Sequence, residues 1–81
     1  MKENTFRQDM VKLNLADKMN PQRISTSFSS LGVKYLCTVD KVKNICIYSF
    51  DTEHKSLAEM LDFLGNEVGV EGAQKTMGCE H

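Results

Sequence analysis

Wound at 100° per residue, the apolar positions at the start of the chain fall into two opposed stripes. Phe6, Met10 and Leu13 cluster on one side, and Val11, Leu15 and Met19 on the other. Thr5-Phe6-Arg7-Gln8 has the form of a capping box, in which a Thr side chain bonds the amide of residue 8 and Gln8 reaches back. The pattern predicts a helix from about Phe6 to Lys18. Asn20-Pro21 stops it, because a residue before proline is pushed out of the α region. One stripe can face the chain's own core, which leaves the other for a second copy or a partner.

From Arg23 to Leu31 the period changes to two. Ile24, Thr26 and Phe28 alternate with Ser25, Ser27 and Ser29, which predicts a half-exposed edge strand. After Gly32 come two apolar runs, Val33 to Val39 and Asn44 to Phe50, around a polar turn at Asp40-Lys41-Val42-Lys43. A turn of even length pairs Val33 with Phe50, Tyr35 with Tyr48 and Cys37 with Cys46 on one side of a hairpin. The other side then carries Leu36, Ile45 and Ile47. Ser56-Leu57-Ala58-Glu59 is a second capping box, and Leu57, Met60, Leu61, Leu64 and Val68 follow at helical spacing on one face. Gly69 ends that helix, and no useful period continues from Val70. The expected fold class is α+β, in the order α-β-β-β-α, with a three-stranded antiparallel sheet and flanking helices. Residues 1–69 form this domain and residues 70–81 a flexible tail.

At 81 residues the chain supports a single small core, and oligomerisation would be a natural supplement to its stability. There is no apolar run long enough to span a bilayer and no apolar secretory segment after Met1-Lys2-Glu3-Asn4, so no membrane association is expected. The expected location is cytoplasmic, the host cytoplasm if the chain is phage-encoded. Three cysteines fit that setting, since an odd count makes a poor disulfide framework and cytosolic thiols stay reduced. Net charge is −1 but uneven: residues 1–43 carry +4 and residues 44–81 carry −5. Such a dipole can orient a charged partner or offset itself within the fold.

Candidate chemistry is sparse. The soft metal ligands Cys37, Cys46, His54, Cys79 and His81 lack the tight paired spacing of a zinc site, so no metal and no cofactor is expected. Cys37 and Cys46 read as buried thiols on facing strands. A Cys46–His54 dyad, which would make the chain a cysteine-dependent enzyme subunit, is the third reading, behind His54 as a solvated first-turn residue. No phosphate-binding glycine loop, nucleophile elbow or H-E-x-x-H motif occurs, so neither catalysis nor a small-molecule substrate is expected.

The α-β-β-β-α order is similar to that of double-stranded RNA-binding domains over roughly residues 5–68. That family sets lysines at the start of its last helix to straddle phosphates. Here Asp51-Thr52-Glu53-His54-Lys55-Ser56 occupies the position and is net acidic, and the glycine-rich strand turn is absent, so membership is not expected. A different RNA or DNA surface could draw on the basic half, through Arg7, Lys12, Arg23, Lys34, Lys41 and Lys43. The leading expectation is a small non-enzymatic protein that binds itself as a homodimer, or binds and regulates a larger protein. Compact phage-encoded inhibitors of host defence or toxin systems are similar in size and composition. The expected contact residues are Val11, Leu15, Met19, Leu36, Ile45 and Ile47.

Overall fold

The computed structural model describes residues 6–79. The expected Thr5 cap and His81 lie outside them. Six regular elements and one short 3-10 turn follow in the order β1 Met10–Leu15, α1 Gln22–Ser27, a turn at Ser29–Leu31, β2 Lys34–Asp40, β3 Ile45–Ser49, α2 Leu57–Gly65 and β4 Val70–Gln74. All strand pairs are antiparallel, and the sheet order is β2-β3-β1-β4. The class is α+β with a small antiparallel sheet and two helices, but the sheet has four strands rather than three. The β-α-β-β-α-β order is that of a split β-α-β arrangement. It also removes the topological likeness to double-stranded RNA-binding domains.

The expected first helix is a strand. In β1, Val11, Leu13 and Leu15 alternate with Met10, Lys12 and Asn14, and only the first three are fully buried. A period-two pattern wound onto a helix sends alternate residues to opposite sides, which is how one strand face imitates two helical stripes. Long-range pairing decides the matter: β1 is hydrogen-bonded on both sides, to β3 and to β4.

The expected strand Arg23–Leu31 is instead α1 and the 3-10 turn. Ile24, Phe28 and Leu31 recur at spacings of four and three and all pack into the core, while Thr26 is exposed. Asn20-Pro21 starts this helix rather than stopping one. Pro21 has helical φ and ψ, and the Asn20 side chain accepts a hydrogen bond from the Gln22 amide at 3.0 Å.

The hairpin lies where the pattern put it. Lys34 pairs with Ser49 and Tyr35 with Tyr48, whose rings meet edge to face at 5.8 Å. Beyond Tyr35 two register shifts move the pairing to Cys37 with Ile47, Thr38 with Cys46 and Asp40 with Ile45. Cys37 and Cys46 therefore do not face each other, because each bulge inserts a residue and changes which partner it meets. Asn44 closes the turn with a positive φ of 58° and donates to the carbonyls of Ala16 and Met19, which joins the hairpin end to the loop after β1.

In α2 both bonds of the Ser56–Glu59 capping box form. They hold the Glu59 carboxyl below its ordinary range, backbone donation from Ser56 being the largest cause. The contact therefore supports the helix at neutral pH and fades as pH falls through the carboxylate range. Leu57, Met60 and Leu64 are buried and Leu61 packs beside them, but the helix ends at Gly65 and Val68 is left 85% exposed.

Val70–Gln74, expected in a flexible tail, pairs with β1 as an edge strand. Gly69 makes the entry possible: its φ is +91°, and a Cβ there would come within 2.7 Å of the Met19 sulfur.

Both helices pack on one face of the sheet, over Val11, Leu13, Leu15, Cys46 and Tyr48. The Tyr48 hydroxyl donates to the Pro21 carbonyl at 2.6 Å, and burial pushes its pKa well above the ordinary phenol range. A disulfide joins Cys37 to Cys79, leaving Cys46 as the free, buried thiol. The expectation of three reduced cysteines fails here because β4 brings Cys79 back to the sheet. Closing a loop of 42 residues removes unfolded-state entropy on the order of 4 kcal/mol in the chain-entropy account.

Two outcomes follow for stability and thiol chemistry. Leu64→Ala, at a position with no exposure, should cost about 2–5 kcal/mol in denaturant unfolding, whereas exposed Val68→Ala should stay within about 0.5 kcal/mol. Equal costs at the two sites would show that Leu64 is not a core position. Iodoacetamide followed by mass spectrometry should label one cysteine in the unfolded, unreduced protein and all three after reduction. Three labels without reductant would contradict the disulfide.

Candidate functional site

The sheet face away from the helices carries Met10, Lys12 and Asn14 from β1 and Ile45, Ile47 and Ser49 from β3, by strand alternation from the buried set. Ile47 on this face is only 2% exposed although no helix covers it. What lies over it is the segment after β4, residues 75–79, which crosses from one edge of the sheet to the other and is bonded there to Cys37 of β2. Three strand spacings amount to roughly 14 Å. The five residues from Lys75 to Cys79 reach at most about 17 Å, enough to carry the strap over β1 and β3 and bring the Cys79 Cα to 6.5 Å from that of Cys37.

Among the described residues the strap is seated by few polar contacts. Thr76 is its buried residue, at 6% exposure. Its carbonyl accepts from the Arg7 amide at 2.8 Å, and its hydroxyl accepts from the Gly78 amide at 3.1 Å. The Lys75 ammonium stands 6.0 Å from the centre of the Phe6 ring.

Between strap and sheet lies an open cleft of about 510 Å³. Ile47 is part of its lining, and Phe6, Val39 and Met77 line it while remaining 47%, 56% and 47% exposed. Lys12 and Lys75 also line it, and among the described residues no Asp or Glu does. Among the described residues neither lysine takes part in an ion pair. A smaller depression of about 250 Å³, which Lys12 also lines, includes an acid, Glu71. Among the described residues the main cleft thus offers apolar walls with two lysines and no acid, a combination suited to an anionic group attached to an apolar body.

The expected contact residues are split up. Val11 and Leu15 belong to the core and Met19 packs against it, so the second helical stripe, and with it the ground for a homodimer through that stripe, is gone. Ile45 and Ile47 do lie on the helix-free face, half-buried and buried respectively, and Leu36 is exposed at the first register shift of β2. The six basic residues do not converge. Lys12 and Lys34 sit on the helix-free face, Arg23 is on α1 across the sheet, and Lys41 and Lys43 are in the β2–β3 turn. Arg7 is drawn to Asp9, at 3.4 Å.

No cysteine–histidine pair forms among the described residues. His54 stands 3.8 Å from Asp51, while the Cys46 thiol contacts the Thr38 hydroxyl and the Asn44 side chain. No group of three or more His, Cys, Asp or Glu able to hold a metal occurs among the described residues, and no helix there is long and apolar enough to cross a membrane.

Nothing in the sequence pattern signals Lys75, Met77 or the Cys37–Cys79 bond, because the strand that leads to them is five residues long with Val70 alone buried. No protein-family model, curated protein or solved structure matches the chain.

Proposed function

We propose that this chain is a non-enzymatic binding module that takes up an acidic, apolar segment of a larger protein in the cleft on its helix-free face, and regulates that protein by holding it. The supporting observation is the lining of the cleft. Half-exposed Phe6, Val39 and Met77 surround it together with two lysines and, among the described residues, no acid. Aromatic and Met side chains are enriched where proteins meet, and unpaired cations around an apolar patch select partners by charge.

A nucleic-acid surface is less well supported, since Arg23 stands on the opposite side of the sheet from Lys12 and Lys34. The cytoplasmic setting expected from the sequence is retained as part of the proposal. It has a consequence for the cleft, because thiols there are held reduced unless conditions turn oxidising.

A short capped peptide of alternating leucine and glutamate is a suitable probe, titrated into the oxidised protein and followed by NMR. Saturable shifts should appear at the methyl groups of Ile47, Val39 and Met77. Lys12→Glu and Lys75→Glu should each weaken binding at least about tenfold, and added salt should weaken it further. Equal binding of the leucine–glutamine counterpart, or shifts confined to the helix side, would overturn the proposal.

A further inference from the structure

Resting on the binding reading above, we propose that Cys37 and Cys79 form a redox switch for the cleft: oxidation ties residues 75–79 across the helix-free face and completes the site, and reduction unties it. The strap supplies one whole wall, with Lys75 and Met77, and covers Ile47. Besides the sulfur bond, among the described residues it is tied to the rest of the fold by the Arg7–Thr76 hydrogen bond and the approach of Lys75 to Phe6, the Gly78–Thr76 bond being internal to it. One hydrogen bond to the rest of the fold, exchanged against water, together with the apolar cover of Ile47, does not offset the backbone entropy of ordering a segment of five residues. The covalent tie therefore decides whether the wall stands.

Cys37 and Cys79 are each only partly buried, so a small thiol or disulfide can reach them. Cys46 is fully buried on the other face and takes no part.

The chemistry is thiol–disulfide exchange with a low-molecular-weight disulfide. One protein thiolate attacks it, forming a mixed disulfide and releasing one small thiol. The second protein thiolate then displaces the other small thiol as the Cys37–Cys79 bond forms. The protein dithiol gives up two electrons and two protons, and the small disulfide takes them up. A small dithiol carries the reverse reaction and is itself oxidised to a disulfide.

Hydrogen exchange and the leucine–glutamate probe test the switch together, on the full chain with and without a dithiol reductant. On reduction the amides of Arg7 and Gly78 should exchange at least about tenfold faster while those of β1 and β3 keep their protection. Affinity for the probe should fall at least about tenfold. Cys79→Ser should match the reduced protein in both respects without reductant, and Cys46→Ala should still respond to reduction. If Cys79→Ser fails to fold, the reduced wild-type protein supplies the comparison. Protection at Arg7 and Gly78 that survives reduction, or probe affinity that is unchanged or higher, overturns the switch. If exchange responds but the oxidised protein ignores the probe, the switch of the strap stands and the partner assigned to the cleft falls.

Discussion

Everything in this fold hangs on β1 being paired along both of its edges. Val11, Leu13 and Leu15 supply the middle of the core on one face, while the backbone of the same strand bonds β3 on one side and β4 on the other. Without β1 in that position, β4 has no neighbour, residues 75–79 have no starting point at the sheet edge, and Cys79 has no route to Cys37. A strand that is central in space but early in sequence forms contacts that are mostly long-range, and those contacts override whatever local preference the segment has.

A four-stranded sheet with both helices on one face leaves its second face to be dealt with. Many antiparallel sheets make that face polar. Here it keeps two isoleucines, Ile45 and Ile47, and the strap shields the second of them. The strap also resolves a problem of size. A chain of 81 residues has a small core, and small domains commonly gain stability from a staple or a partner. The Cys37–Cys79 bond, closing a loop of 42 residues, is such a staple. Because the same bond builds a wall of the cleft, stability and the shape of the site are coupled in one covalent link.

Charge is distributed to match. The acidic half of the sequence places Glu59 and Asp62 on α2 and Glu53 just before it, on the helix side, whereas Lys12, Lys34 and Lys75 belong to the helix-free face or its strap. Among the described residues the near-zero net charge thus conceals two lysines without an acid in the lining of the cleft. Arg23 and Lys55 on the helix side, and Asp40 and Glu71 on or beside the helix-free face, keep the separation from being complete.

Local signals determined part of this protein. The capping box at Ser56 with Leu57, Met60 and Leu64 behind it specifies α2, because its bonds and its apolar stripe lie within a few turns of one another. The hairpin is similarly local, and Tyr35 opposite Tyr48 follows from the turn between them. Tertiary structure decided the rest. Val11 and Leu15 with Leu13 between them satisfy a strand or two helical stripes equally well, and only the flanking strands choose. Ile24, Thr26 and Phe28 fit a strand by alternation and a helix through Ile24, Phe28 and Leu31, and the choice falls to the helix because those three can reach the core together. The cleft was the least legible feature, since Lys12, Ile47 and Lys75 meet only after β4 has found β1. Contacts made between distant segments leave no periodic trace in either one, which is why the helix and hairpin could be read from the chain and the site could not.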